Sequence, residues 1–153
     1  FNVMAGSKKD AFETAILQLI FQNANLAAIG DSTGLRGSTT AGNFFIALYV
    51  TTPPSDSAQG TECTYTGYAR KEIARASGAG GWTVSANNAY NTSAITFAQC
   101  TVGSNTALAF SINKAVTGGV DDAIYWGDLS ANLAISPGIT PEFAAGDLDV
   151  YED

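Results

Sequence analysis

From Phe44 onward the chain is cut into short apolar segments, each closed by a glycine- or proline-bearing turn. "FFIALYVT", "CTYTGYARKEIAR", "WTVSA", "SAITFAQCT", "TALAFSINKA" and "AIYWGDLSANLAIS" alternate with turns such as "TTPPSDSAQGTE", "GAGG", "VGSN", "VTGGVDD" and "SPGITP". Turn signals roughly every dozen residues leave little room for helices and call for short strands packed face to face. The expected fold class is therefore mainly β, a β-sandwich or jelly-roll-like domain. "FFIALYVT" is apolar on both alternating faces, as a central strand should be. In "CTYTGYARKEIAR" the alternation puts Tyr65, Gly67, Ala69, Lys71 and Ile73 on one side of a strand.

One amphipathic helix precedes these strands. The stretch "SKKDAFETAILQLIFQNANL" begins with Ser7, which can cap it, and Asp10 follows in capping-box position. Asp10, Thr14, Gln18 and Gln22 recur at spacing four as one narrow polar line. Around them lie Phe12, Ile16, Leu19 and Ile20, with Ala11, Ala15, Leu17 and Phe21. A surface helix needs an apolar stripe only about 100° wide. This one is apolar around most of its circumference, so it is expected to lie under a sheet and loop or against another subunit. A Gly/Ser/Thr loop, Gly30–Asn43, links helix to strands. The expected organisation is a single domain over 1–153, with the helix at about 7–26 and the sandwich at about 44–153.

Charge narrows the function. Hydrophobic residues make up 46% of the 153 and charged ones only 14%, against roughly 25% in ordinary soluble domains. So few charges suggest a surface partly covered by other chains. The net charge is −7, which disfavours nucleic acid, since phosphate binding draws on Lys and Arg. The chain is also polarised. From Ala115 to the end there are eight acids and no Lys or Arg, whereas the Arg70, Lys71 and Arg75 cluster is basic. Such polarity lets copies join through unlike surfaces. No run approaches the ~18 apolar residues of a membrane span, and no leader pattern is expected. Cys63 and Cys100 each lie in a strand-like stretch and could be neighbours across a sheet; free buried thiols, formed in a reducing cytosol, are the first expectation and a bonded pair the alternative.

Catalytic signatures are few. The chain has no histidine, which removes Ser–His and Cys–His pairs and histidine metal sites. The cysteines lack zinc spacing, and the glycine clusters lack a Walker lysine or a dinucleotide fingerprint. No cofactor and no catalytic residue is assigned, and the expected class is not an enzyme. Trp82 and Trp126 read first as sandwich core, with sugar stacking as the alternative. The acidic end, Asp147, Asp149, Glu152 and Asp153, departs from calcium-loop spacing at Val150–Tyr151. It reads instead as a final strand, with Leu148 and Val150 on one face and Asp149 and Tyr151 on the other; no metal site is assigned.

These segments in order carry a resemblance. "DAFETAILQLIFQNANL", "FFIALYVTTPPSD", "GTECTYTGYARKEIAR", "GWTVSANNAYNTSAITFAQC", "IYWGDLSANLAIS" and "GITPEFAAGDLDVYED" together resemble a family of small tailed-phage virion proteins, from about Ser7 to Asp153. Relatives often carry a Thr-His-Phe-like element where this chain reads Leu108-Ala109-Phe110. The resemblance implies a noncatalytic coat component.

The leading expectation is a capsid decoration (cement) protein on the outer capsid surface, assembled in the host cytoplasm. It would be a homotrimer that clamps the major capsid protein, with no nucleic-acid or membrane partner. Its expected contacts are Phe12, Ile16, Leu19 and Ile20 on the helix, and Arg70, Lys71 and Arg75 on a strand. The alternative is a tail- or fibre-associated component that presents Trp82, Trp126 and tyrosines to host glycans.

Overall fold

A computed structural model describes residues 8–51, 54–55, 58–118 and 122–152. One helix, α1 (Asp10–Gln22), precedes nine strands among these residues. They are β1 (Asn43–Tyr49), β2 (Lys71–Ala74), β3 (Trp82–Ser85), β4 (Asn88–Asn91), β5 (Ile95–Thr96), β6 (Asn105–Asn113), β7 (Ala123–Ile135), β8 (Glu142–Phe143) and β9 (Asp149–Tyr151). The fold is mainly β and antiparallel, with one N-terminal helix, as the turn spacing requires. The chain groups into two compact units. One draws on the stretch up to Gly42, Ala74–Ser93 and the end from Ala145; the other comprises Asn43–Ile73 and Ala94–Ala144.

In the first unit α1 packs on β3 and β4 of a three-stranded sheet ordered β3-β4-β9. The helix buries Glu13, Leu17 and Phe21 at spacing four, one row along its length. The Phe21 and Trp82 ring centroids lie 4.5 Å apart. The polar line does not simply face water. Thr14 Oγ1 donates to the Ala86 carbonyl at 2.6 Å, and Gln22 Nε2 to the Trp82 carbonyl at 3.0 Å, so polar side chains fasten the helix to the β3–β4 hairpin.

Both helix ends differ from expectation. Lys9 occupies the N-cap with no side-chain cap bond; the expected cap, Ser7, lies outside the described residues. Asp10 and Glu13 in the first turn suit the positive end of the helix. The helix stops at Gln22 because Asn23 turns left-handed at φ 56, and its amide then clasps Ser38 by two hydrogen bonds of 2.7 and 2.8 Å. Gly34 is needed nearby: at φ +68, a Cβ there would sit 2.0 Å from the Leu26 carbonyl oxygen.

The second unit holds a four-stranded sheet ordered β2-β1-β6-β7 and a two-stranded sheet of β5 and β8. Apolar β1 lies inside the larger sheet, with Ile46 opposite Ile112. Aromatic rings join the two sheets: Phe143 of β8 lies 5.8 Å from Phe110 of β6 and 6.4 Å from Phe97. That layering is sandwich-like. The long strand expected at "CTYTGYARKEIAR" shrinks to β2. Gly67 at φ 107 and the Tyr68 N to Tyr65 O bond of 2.9 Å turn the chain first. Strand β7 runs the full length expected, but four of its residues, Leu129–Asn132, bulge opposite Leu108.

Candidate interaction surfaces

The expected contact residues divide once their surroundings are known. On α1, Phe12 is 40% exposed, whereas Ile16, Leu19 and Ile20 are half-buried beside the Glu13–Leu17–Phe21 row. Of the three basic residues only Lys71 is exposed.

Arg70 is a correction. It is buried at 8% exposure, and its guanidinium is held inside the second unit rather than offered to a partner. Nε and Nη2 donate to Glu62, at 3.1 and 2.5 Å to Oε1. Nη1 donates to the Ala115 carbonyl at 2.8 Å and to the Asp122 carboxylate. The two flanking carboxylates raise the Arg70 pKa above its ordinary value, against the opposing effect of burial. A buried arginine needs such pairing, because an uncompensated charge away from water is costly. Tyr68 completes the network by donating to Glu62 at 3.0 Å. Arg70 thereby ties both ends of the β6–β7 connection, Ala115 and Asp122. A side chain at Gly118 in that connection would displace this guanidinium, since a Cβ would meet Arg70 Nη2 at 2.0 Å.

Arg75 is likewise turned inward. Its guanidinium donates to the carbonyls of Leu19 at 2.9 Å, Ile20 at 2.6 Å and Ala41 at 2.8 Å. The last turn of α1 has no basic residue of its own. Arg75 therefore satisfies orphan carbonyls and places a cation at the negative helix end.

The tryptophans part company. Trp82 is fully buried, as expected of core, whereas Trp126 on β7 is 42% exposed. Its burial could not be read from an apolar segment, because β7 is the last strand of its sheet. The acidic end forms β9, with Leu148 and Val150 at 1% and 5% exposure and Asp149 facing the other way. Glu152 pairs with Lys8 at 3.2 Å, and Asp153 lies outside the described residues. Among the described residues no group of three or more His, Cys, Asp or Glu side chains could hold a metal ion. Among the described residues no helix is long and apolar enough to cross a membrane.

These surfaces are those of a β-rich module with exposed apolar positions. Comparison with protein families gives a match to Podophage GP4 fiber I protein gp80 over residues 8–151. The chain belongs to this family. It is accordingly a structural protein of a phage virion, of the tail-fibre-like kind. The fiber I match spans both compact units, from the start of α1 through β9. No curated protein matches the chain.

Proposed function

We propose that this protein is a noncatalytic fibre component on the outside of the virion, present in several copies and held there by protein–protein contacts. The observation that carries this reading is the fiber I match across residues 8–151. The surface offers apolar positions for such contacts: Phe12, Ile29, Leu35, Val102, Val116, Trp126, Ile139 and Tyr151 are large apolar residues left exposed. Arg70 and Arg75 act inside the chain, so contacts to neighbours are assigned to the α1 face (Phe12, Ile16, Leu19) and to Lys71. Decoration of the head through the major capsid protein is the second reading, favoured by the low charge content of 14% and the apolar helix face.

Imaging of the assembled virion separates the two. A small number of copies at the tail or at fibre attachment points supports the fibre reading. Hundreds of copies on the head lattice overturn it in favour of decoration.

A further inference from the structure

We propose that the outward face of the β3-β4-β9 sheet binds a neutral oligosaccharide. This deepens the reading of a fibre component on the outside of the virion, on which it rests for its setting, by naming the class of molecule that one of its surfaces takes.

Opposed residues of an antiparallel sheet point to the same side, and side chains alternate along each strand. One side of this sheet carries Trp82, Ala89 and Val150, all buried, and packs against α1 through Phe21. The register sets two rows on the other side, Thr83–Tyr90–Asp149 and Ser85–Asn88–Tyr151. None of these six residues is aliphatic. Ser85 and Tyr151 are exposed, Tyr151 at 64%, and the other four are half-buried. Strand and pleat spacing put the rows about 7 Å apart and make each roughly 10 Å long, a footprint for a short chain of sugar rings.

Hydrogen bonding is what this face lacks. Among the described residues only Thr83 of the six has a side-chain bond, with Thr92 at 2.9 Å. Asn88 Oδ1 and Asp149 Oδ1 are shut from water and have no donor. An acceptor left in that state is costly, so both gain from a ligand rich in donors. The terminal torsions of Asn and Asp are soft, which lets either oxygen turn outward from its half-exposed side chain. The phenols of Tyr90 and Tyr151 both donate and accept. A sugar supplies the complement: hydroxyl donors around its rim, and an apolar C–H face for the phenol rings.

Other occupants fit less well. A protein partner is held by an apolar patch core, which these polar and aromatic residues do not offer. A second copy docked face to face would bring two Asp149 carboxylates together. That carboxylate is the one charge on the face, on a chain of −7, so acidic glycans are repelled and neutral ones selected.

The test is binding of the purified full chain to a glycan array. It carries neutral oligosaccharides of glucose, galactose, mannose and their N-acetylated amino sugars beside sialylated and phosphorylated ones, and presentation in many copies makes weak contacts visible. The strongest neutral glycan is then titrated into isotope-labelled protein, with amide NMR shifts expected at residues 83–90 and 149–151. Tyr151→Ala and Asp149→Ala should each weaken binding at least about tenfold. Trp126→Ala, which removes an exposed aromatic of the other unit, should leave it unchanged. No binding to any neutral glycan, binding confined to acidic ones, or shifts that map elsewhere each overturns the proposal. So does wild-type affinity in Tyr151→Ala or Asp149→Ala, or lost affinity in Trp126→Ala. Circular dichroism melting checks that the variants fold; should they not, the shift map of the wild type decides. A chain that binds no sugar yet is imaged as a fibre component sinks the sugar site alone. Sugar binding by a chain imaged on the head lattice sinks the fibre reading alone.

Discussion

Replacing Arg70 by methionine tests the buried charge network most directly. The change keeps much of the aliphatic bulk but removes every donor to Glu62, Asp122 and Ala115. Breaking a buried ion pair by deleting one partner costs about 3–5 kcal/mol, because the remaining charge stays buried and unpaired. Here the two carboxylates differ. The Glu62 side chain is 25% exposed and regains some water, whereas the Asp122 side chain is 8% exposed and does not. The lower end of the range, about 3 kcal/mol, is therefore expected. At about 2–4 °C per kcal/mol for a chain of this size, melting should fall by roughly 10 °C. Urea denaturation of wild type, Arg70→Met, Asp122→Asn and the double variant supplies the measurement. Asp122→Asn should cost clearly less in the Arg70→Met background than alone, a coupling of about 1–3 kcal/mol. A loss below about 1 kcal/mol for Arg70→Met, or equal cost of Asp122→Asn in both backgrounds, would refute the network's role.

Other outcomes follow from the same structure. Arg75→Met should free the carbonyls of Leu19, Ile20 and Ala41 and cost about 1–2 kcal/mol, read as lower helical ellipticity and an earlier melt. Asn91 is fully buried, accepts from Leu148 N at 2.9 Å and donates to the Ser93 carbonyl at 2.8 Å; Asn91→Leu should cost about 1–3 kcal/mol, with hydrogen exchange accelerating first around Leu148. Burial, reinforced by the Glu62 carboxylate, pushes the Cys63 thiol from 9.0 up to about 11. The unfolded chain thus ionises first as pH rises, so the contribution of Cys63 is whole below about pH 9 and disappears by about pH 11, a loss of about 2 kcal/mol. Tyr68, Tyr49 and Tyr65, raised chiefly by burial, add to the alkaline loss above about pH 10. Denaturation at pH 8 and about 10.5 checks this: the fall should be smaller in Cys63→Ala, and an equal fall would count against it.

Much of this was legible in the residues. Turn spacing foretold the β class, the helix is where the apolar run put it, and β1, β7 and β9 lie where their patterns indicated. Two strands carry no apolar pattern of their own. "NAYN" of β4 is held by Asn91's side-chain bonds and hairpin pairing, and "EF" of β8 is too short to show a period. Conversely, the strand expected through Tyr65–Ala69 was interrupted by Gly67, whose positive φ an alternation pattern does not register.

Composition and local pattern determined by themselves what kind of elements this chain makes, because strand and helix periods and turn chemistry are properties of neighbouring residues. Tertiary structure alone decided the fate of its charges and its surface. Arg70 and Glu62 lie close in sequence, but Asp122 reaches them only when the sheet forms, and Arg75 meets the end of α1 across 55 positions. Whether a tryptophan is core or surface depended on strand order, which placed Trp82 beneath a helix and Trp126 on an outer strand. Contacts between distant residues arise from packing, and no local window contains them.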